Sequence, residues 1–147
     1  MSSIVVLDAR PLSQICHPRK WEYISNWYKQ IVASGRRVVI AEITDYETRR
    51  GLLKEKATRQ IEELDALVDS NYYAPLSTSL IHDAARVWAE AMSMGMPLGP
   101  LDGLNADAIL IAQAQAIGDK RSVTVVTQNT GHFDPFVNAV WWENFEP

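Results

Sequence analysis

Hydrophobic positions along this chain follow two rhythms. Unbroken β-branched runs, "IVVLD" at 4–8, "RVVIAEI" at 37–43 and "SVTVVT" at 122–127, show no helical period and predict strands buried on both faces. "NYYAPL" at 71–76 predicts a weaker strand and "VNAVWW" at 137–142 a fifth. Between them the spacing becomes helical. Trp21, Ile24, Trp27, Tyr28, Ile31 and Val32 share one face, and Gly35 follows where a helix C-cap belongs. Thr44 with Glu47 three residues on reads as a capping box opening the next helix, and Ile61, Leu64, Leu67 and Val68 continue in helical register. Leu80, Ile81, Ala84, Val87, Trp88, Ala91 and Met92 mark an amphipathic helix, and residues 105–117 an apolar one ending at Gly118. Pro11 and Pro18 bracket a turn-like segment, and the Gly/Pro-rich stretch 94–103 reads as a loop. Alternating strands and helices of this kind predict a three-layer α/β/α sandwich around a central, mostly parallel sheet. No repeat or linker interrupts residues 1–147, so one domain is expected.

Composition narrows the class. At 147 residues, 47% apolar and 22% charged, the chain suits one globular domain and excludes disordered, collagen-like and disulfide-stapled proteins. No apolar run reaches the roughly 20 residues of a membrane-spanning helix. The N-terminal residues lack a basic region and read as an opening strand rather than a signal peptide. The single cysteine, Cys16, cannot form an internal disulfide, which points to a reducing cytoplasm. The net charge of −4 hides a division: residues 1–60 carry 11 Lys/Arg and 6 Asp/Glu, whereas residues 61–147 carry 3 and 12. Arg36, Arg37, Arg49, Arg50, Lys54, Lys56 and Arg59 form either a phosphate-facing band or a solvated helix face interleaved with Glu42, Asp45 and Glu55.

Parallel sheets bind ligands beyond the carboxyl ends of their strands. Asp8 closes the first strand. Glu47 follows the second on the stripe of Ile43 and Tyr46, which points it inward. Asp107 sits in the first turn of the helix before the fourth strand, and Thr127 and Asn129 end that strand. Each acid has a structural alternative: an Asx-turn at Asp8, the capping box at Glu47, and the dipole of a helix capped by Asn105 at Asp107. Together they are harder to explain that way, because clustered buried carboxylates are costly without a cation. Oxygen donors of this kind suit Mg²⁺ or Mn²⁺.

The chain resembles the PIN-domain ribonucleases, the family containing VapC-like toxins of toxin–antitoxin pairs. "VVLDARPLSQICHP" is similar to the family's first strand and catalytic Asp, here Asp8. "IAEITDYETRRGL" is similar to its Glu followed four residues later by Gly, here Glu47 and Gly51. "NADAILIAQAQAIG" carries Asp107 and Gly118, and "VTVVTQNTGHF" carries Thr127, Asn129 and Phe133. The resemblance runs from about residue 4 to 142 and implies a metal-dependent endoribonuclease. Asp8, Glu47 and Asp107 would hold one Mg²⁺ or Mn²⁺, Asn129 would position the attacking water, and Thr127 would support the loop. Arg10 with some of Arg49, Arg50 and Lys54 would hold RNA. A homodimer through the first and second helices and a cognate antitoxin are implied as well.

Two departures stand out. Ala9 and Arg10 replace a small polar pair, and Asn129 stands at the fourth acidic position. Arg10 could pair with a carboxylate or bind the scissile phosphate. Asp102 is a reserve ligand. A module with degenerate chemistry, binding RNA or a protein, is the alternative reading. Nucleotide-binding glycine motifs are absent, Cys16–His17 lacks zinc-ligand spacing, and "NYYAPLST" lacks the Asp of a receiver domain. His82 is expected on a helix surface and His132 packing a loop near the crevice mouth. Trp21, Trp27 and Tyr28 are expected in the core or an interface, and the Trp-rich C-terminus on the sheet edge or against a partner.

Overall fold

The computed structural model describes residues 2–96 and 105–147, together with the backbone of residues 101–104. The chain runs β1 (Ile4–Leu7), α1 (Ala9–Ile15), α2 (Glu22–Ala33), β2 (Arg37–Ala41), α3 (Glu42–Lys54), α4 (Thr58–Ser70) and β3 (Tyr72–Ala74). It continues with α5 (Thr78–Ser93), α6 (Leu101–Ile117), β4 (Val123–Val126), α7 (Thr130–Phe133), β5 (Asn138–Val140) and a 3-10 turn at Trp142–Asn144. The five strands form one sheet of order β3-β2-β1-β4-β5, every pair parallel. The expected sandwich is therefore observed.

Both sheet faces are buried, which is why the strands read as unbroken apolar runs. Val5, Leu7, Val38 and Ile40 pack with Leu12, Ile24, Trp27, Ile31, Leu52 and Leu64 under α1–α4. Val6, Val39, Val123 and Val125 pack with Val87, Ala91, Ile111 and Ala114 of α5 and α6 on the other side. The C-terminal Trp142 and Phe145 pack against Trp27 of α2. The Trp27 indole N–H donates to the Phe145 carbonyl at 2.8 Å, and Trp142 lies 6.1 Å from the Trp27 ring.

Several local expectations are corrected. Residues 9–15 are a helix, not a turn, because Pro11 occupies its third position, where an amide N–H has no intrahelical partner to lose. Thr44 caps nothing: α3 begins directly after β2 at Glu42, and Thr44 is buried inside it. The helical register from 44 to 68 is broken between α3 and α4, where Lys56 takes φ 55°. Asn105 is not a cap either, since α6 starts at Leu101 and places Asp107 in its second turn. Of the predicted 94–103 loop, residues 97–100 lie outside the described residues, as does the side chain of Asp102.

The order of the strands decides where chemistry can sit. From β1 the chain moves outward through β2 to β3, then returns to the other side of β1 for β4 and β5. The reversal leaves a crevice at the carboxyl ends of β1 and β4.

Candidate functional site

Asp8 follows β1 immediately, and its backbone N–H still bonds across to the Val126 carbonyl at 2.9 Å. Its side chain is held twice. Oδ1 accepts the Ala9 N–H at 2.8 Å, capping α1, while Oδ2 accepts the Thr127 hydroxyl at 2.7 Å. The structural and functional readings of Asp8 thus coexist. Thr127 is fully buried, and its Oγ1 also accepts the Asn129 N–H at 3.1 Å, so one hydroxyl ties the end of β4 to the end of β1.

Asp107 approaches from α6 and Glu47 from α3. Gln113 sets the relation between these helices. Its Nε2 donates to the Ala74 carbonyl at 2.7 Å and its Oε1 accepts the Ile43 N–H at 3.3 Å, satisfying one of the unpaired amides at the start of α3. Tyr46 departs from the expected inward stripe, being exposed with the Arg50 guanidinium 5.2 Å over its ring. Glu47 does face the crevice. Burial pushes its carboxyl up to about 7, the fields of Asp8 and Asp107 add to the rise, and Arg50 opposes it. Asp107 is pushed up to about 6 by burial and by Asp8, against the hydrogen bond with His132. Burial likewise raises Asp8, against its bonds from Thr127 and Ala9. The three acids share one field.

The sequence leaves His132 to pack a loop near the crevice mouth or to touch RNA; in the structure its Nδ1 lies 2.9 Å from Asp107 Oδ2. An ionised carboxylate only accepts, so with Asp107 ionised Nδ1 carries the hydrogen. The signal available in the sequence was its place in the short segment after β4, anchored by the fully buried Phe133. Gln113 had no such signal, because its two partners come from distant segments.

The cationic residues separate. Arg10 is exposed, and its guanidinium makes no ion pair among the described residues, so it does not take a cation's place beside the acids. Arg50 lies 3.9 Å from Glu47 Oε2, and Lys54 is exposed at the end of α3. Arg49 is engaged elsewhere, bonding Asp45 at 3.0 Å and Asp65 at 2.8 Å to hold α3 against α4. Arg36 and Arg37 sit at the start of β2, the opposite end of the sheet from Asp8, so the seven cations do not form one band at the crevice. Asn129 is exposed, with no side-chain capping bond to α7.

The fit to a divalent ion can be judged from the donor set. The three carboxylates supply hard oxygen ligands, and each Asp8 oxygen accepts one hydrogen bond in the structure, leaving lone pairs for a cation. Burial raises all three, and repulsion from neighbouring acids adds to the rise at Glu47 and Asp107, which is the strain a bound cation relieves. The residues fit Mg²⁺ or Mn²⁺. Among the described residues, though, no three His, Cys, Asp or Glu side chains close into a ready-made ligand cluster.

Comparison with known proteins bears on the family and the fold. No curated protein matches the chain in sequence. In fold it is similar to a chain of the Rickettsia felis VapBC2 assembly bound to a promoter DNA fragment, with 20% identity, TM-score 0.68, and 95% of this chain and 98% of that one covered. A chain of VapBC-1 from nontypeable Haemophilus influenzae is similar at 17% identity and TM-score 0.68, covering 96% and 99%. Residues 5–134 match the PIN domain, a span that takes in Asp8, Glu47, Asp107, Thr127 and Asn129. An all-parallel sheet with acids gathered at its switch point, and a family match over most of the chain, lead to one assignment: the chain belongs to the PIN domain family.

Proposed function

We propose that the protein is a divalent-metal-dependent endoribonuclease acting as the toxin of a toxin–antitoxin pair in the cytoplasm. The observation that carries this reading is the approach of Asp8, Glu47 and Asp107 from three separate elements, with burial raising all three and Asp8 close enough to raise both Glu47 and Asp107. Such an arrangement is unfavourable for folding alone, and its natural complement is a cation. When bound, Mg²⁺ or Mn²⁺ supplies charge neutralisation, polarisation of a phosphodiester and activation of water.

The chain's own residues do the rest. Thr127 fixes Asp8, and His132 fixes Asp107, so that each presents a defined oxygen. Asn129, exposed at the mouth, orients the attacking water. Arg10, Arg50 and Lys54 bind phosphate oxygens, Arg10 being best placed because it makes no ion pair among the described residues. Arg49 contributes through the α3–α4 contact instead. An antitoxin and a second copy of the chain complete the proposed assembly. The similarity to VapBC structures supports the first, and exposed Tyr23, Val32, Tyr46 and Leu53 on α2 and α3 support the second.

One observation favours a different reading. The absence of a closed ligand cluster among the described residues is what a module that only binds RNA or protein would show. Calorimetry with Mn²⁺ on wild type and Asp8→Asn, followed by incubation with a structured RNA pool, separates the two. Binding and cutting that vanish together in the variant support the nuclease. Neither heat nor cutting in wild type at millimolar ion leaves the binding module.

A further inference from the structure

A cleft of about 510 Å³ opens beside the acids, between α1, the 17–21 segment and α3. Glu47 stands in its wall, so it is continuous with the proposed metal centre. Its volume falls within the roughly 300–1,000 Å³ typical of small-ligand pockets. We propose that this cleft is a single-nucleotide subsite, which takes the RNA residue next to the scissile bond by stacking its base on Trp21 and holding its phosphate between Arg10 and Lys20. The inference rests on the reading that the protein cuts RNA.

The residues differ in kind from an ordinary surface hollow. Trp21 and Trp27 sit on consecutive turns, yet Trp27 is 5% exposed with its indole N–H bonded, while Trp21 is 38% exposed at the N-terminus of α2. Lys20 Nζ lies 5.5 Å over the Trp21 ring, placing a cation beside an aromatic face, the pairing that single-stranded nucleic acid sites use for phosphate and base. Arg10 adds a forked donor free of ion pairs among the described residues. Gln14 lines the cleft although only 8% exposed, and its carboxamide offers both donors and an acceptor to a base edge. Thr48 forms part of the wall, and its buried Oγ1 has no hydrogen-bond partner among the described residues. Glu47 and Glu55, eight residues apart on the α3 side, make that wall acidic, so a phosphate is favoured toward Arg10 and Lys20.

Gly51 provides a way to close the cleft without damaging the fold. It lines the cleft, and a Cβ built there meets nothing within 4 Å. Leucine at that helical position fills the space and is a better helix former than glycine.

The test uses single-stranded RNA of about 12 nucleotides, random in sequence, titrated in EDTA so that binding is read without cutting. Wild type should bind with quenching of tryptophan emission. Trp21→Leu should bind about tenfold more weakly and lose the quench, because base stacking contributes on that scale. Lys20→Ala and Arg10→Ala should each reduce the slope of log affinity against log salt by about 0.7. Gly51→Leu should melt no lower than wild type yet bind as poorly as Trp21→Leu. Unchanged affinity and quench in Trp21→Leu and Gly51→Leu would overturn the subsite, as would failure of wild type to bind RNA. Two further outcomes separate the claims. RNA bound with the quench but uncut in Mn²⁺ retains nucleotide binding in the cleft and removes the nuclease, and with it the place beside a scissile bond. RNA cut at the same positions, with the same kcat/KM, by wild type and both variants retains the nuclease and removes the subsite.

Discussion

The two ends of the same sheet treat their polar groups in opposite ways. At the amino ends of the strands polar side chains pair with one another and with backbone carbonyls. Ser2 and Thr124 share a 2.5 Å hydroxyl contact, Asn138 donates to Thr124 at 2.7 Å, and Arg36 donates to the Ser2 and Pro147 carbonyls. Asp119, just before β4, accepts from the Arg121 and Ser122 amides and the Ser122 hydroxyl, which hold its carboxyl below the ordinary 3.8. At the carboxyl ends Asp8, Glu47 and Asp107 are all raised by burial. Aspartates at opposite ends of one strand pair therefore shift in opposite directions. Satisfied charge at one end builds the fold, and crowded charge at the other is where the proposed cation would sit.

Asp8→Asn should break the contrast most sharply. Metal-dependent RNA cleavage should fall by at least about a hundredfold in kcat/KM, in the range that loss of a charge-stabilising group produces. Its melting temperature without metal should hold or rise, because one of three repelling charges is gone. A large loss of thermal stability would instead make the paired acceptance from Ala9 and Thr127 the main role of the Asp8 carboxylate. Thr127→Val comes next. It removes the donor to Asp8 Oδ2, and calorimetry should show about 10–100-fold weaker Mn²⁺ binding, the usual effect of losing a group that orients a ligand.

The pH dependence of stability should be smaller and should run against ordinary acid denaturation. Glu47 moves from 4.5 to about 7 and Asp107 from 3.8 to about 6 on folding, so the folded state holds these protons more tightly. The resulting stability is fully present below the unfolded values and is lost as pH rises through about 6 and then 7. In EDTA the melting temperature should drop by a few degrees between about pH 5 and pH 8, on the scale of a kcal/mol or so. Millimolar Mn²⁺ should flatten that slope, and a slope unchanged by the ion would count against metal binding here. Asp119→Asn should have the smallest effect: cleavage rates match wild type, with a slight fall in melting temperature.

Sequence alone was enough wherever a residue's neighbours along the chain determine its fate. The β-branched runs of β1, β2 and β4 could only be strands buried on both faces, and the apolar stripe of α5 could only be a helix. The place of Asp8 was legible because an acid directly after such a run lands at a strand end, whereas Asp107 and Glu47 lie in the second turns of α6 and α3 rather than at their starts. Reading failed where local chemistry suggested one structure and packing selected another. Pro11 looked like a turn but sits harmlessly in the first turn of α1, and Thr44 looked like a cap but is buried within α3. Tertiary structure alone decided the partners. Arg49 and Arg50 are neighbours of the same type, yet Asp65 on another helix occupies the first and leaves the second near Glu47. Trp21 and Trp27 share a helical stripe, but only Trp27 meets the C-terminal segment. His132 reaches Asp107 across 25 residues of chain. The physical reason is range: propensity and periodicity act over a few residues, whereas ion pairs, burial and coupled charges depend on segments that only the closed fold brings together.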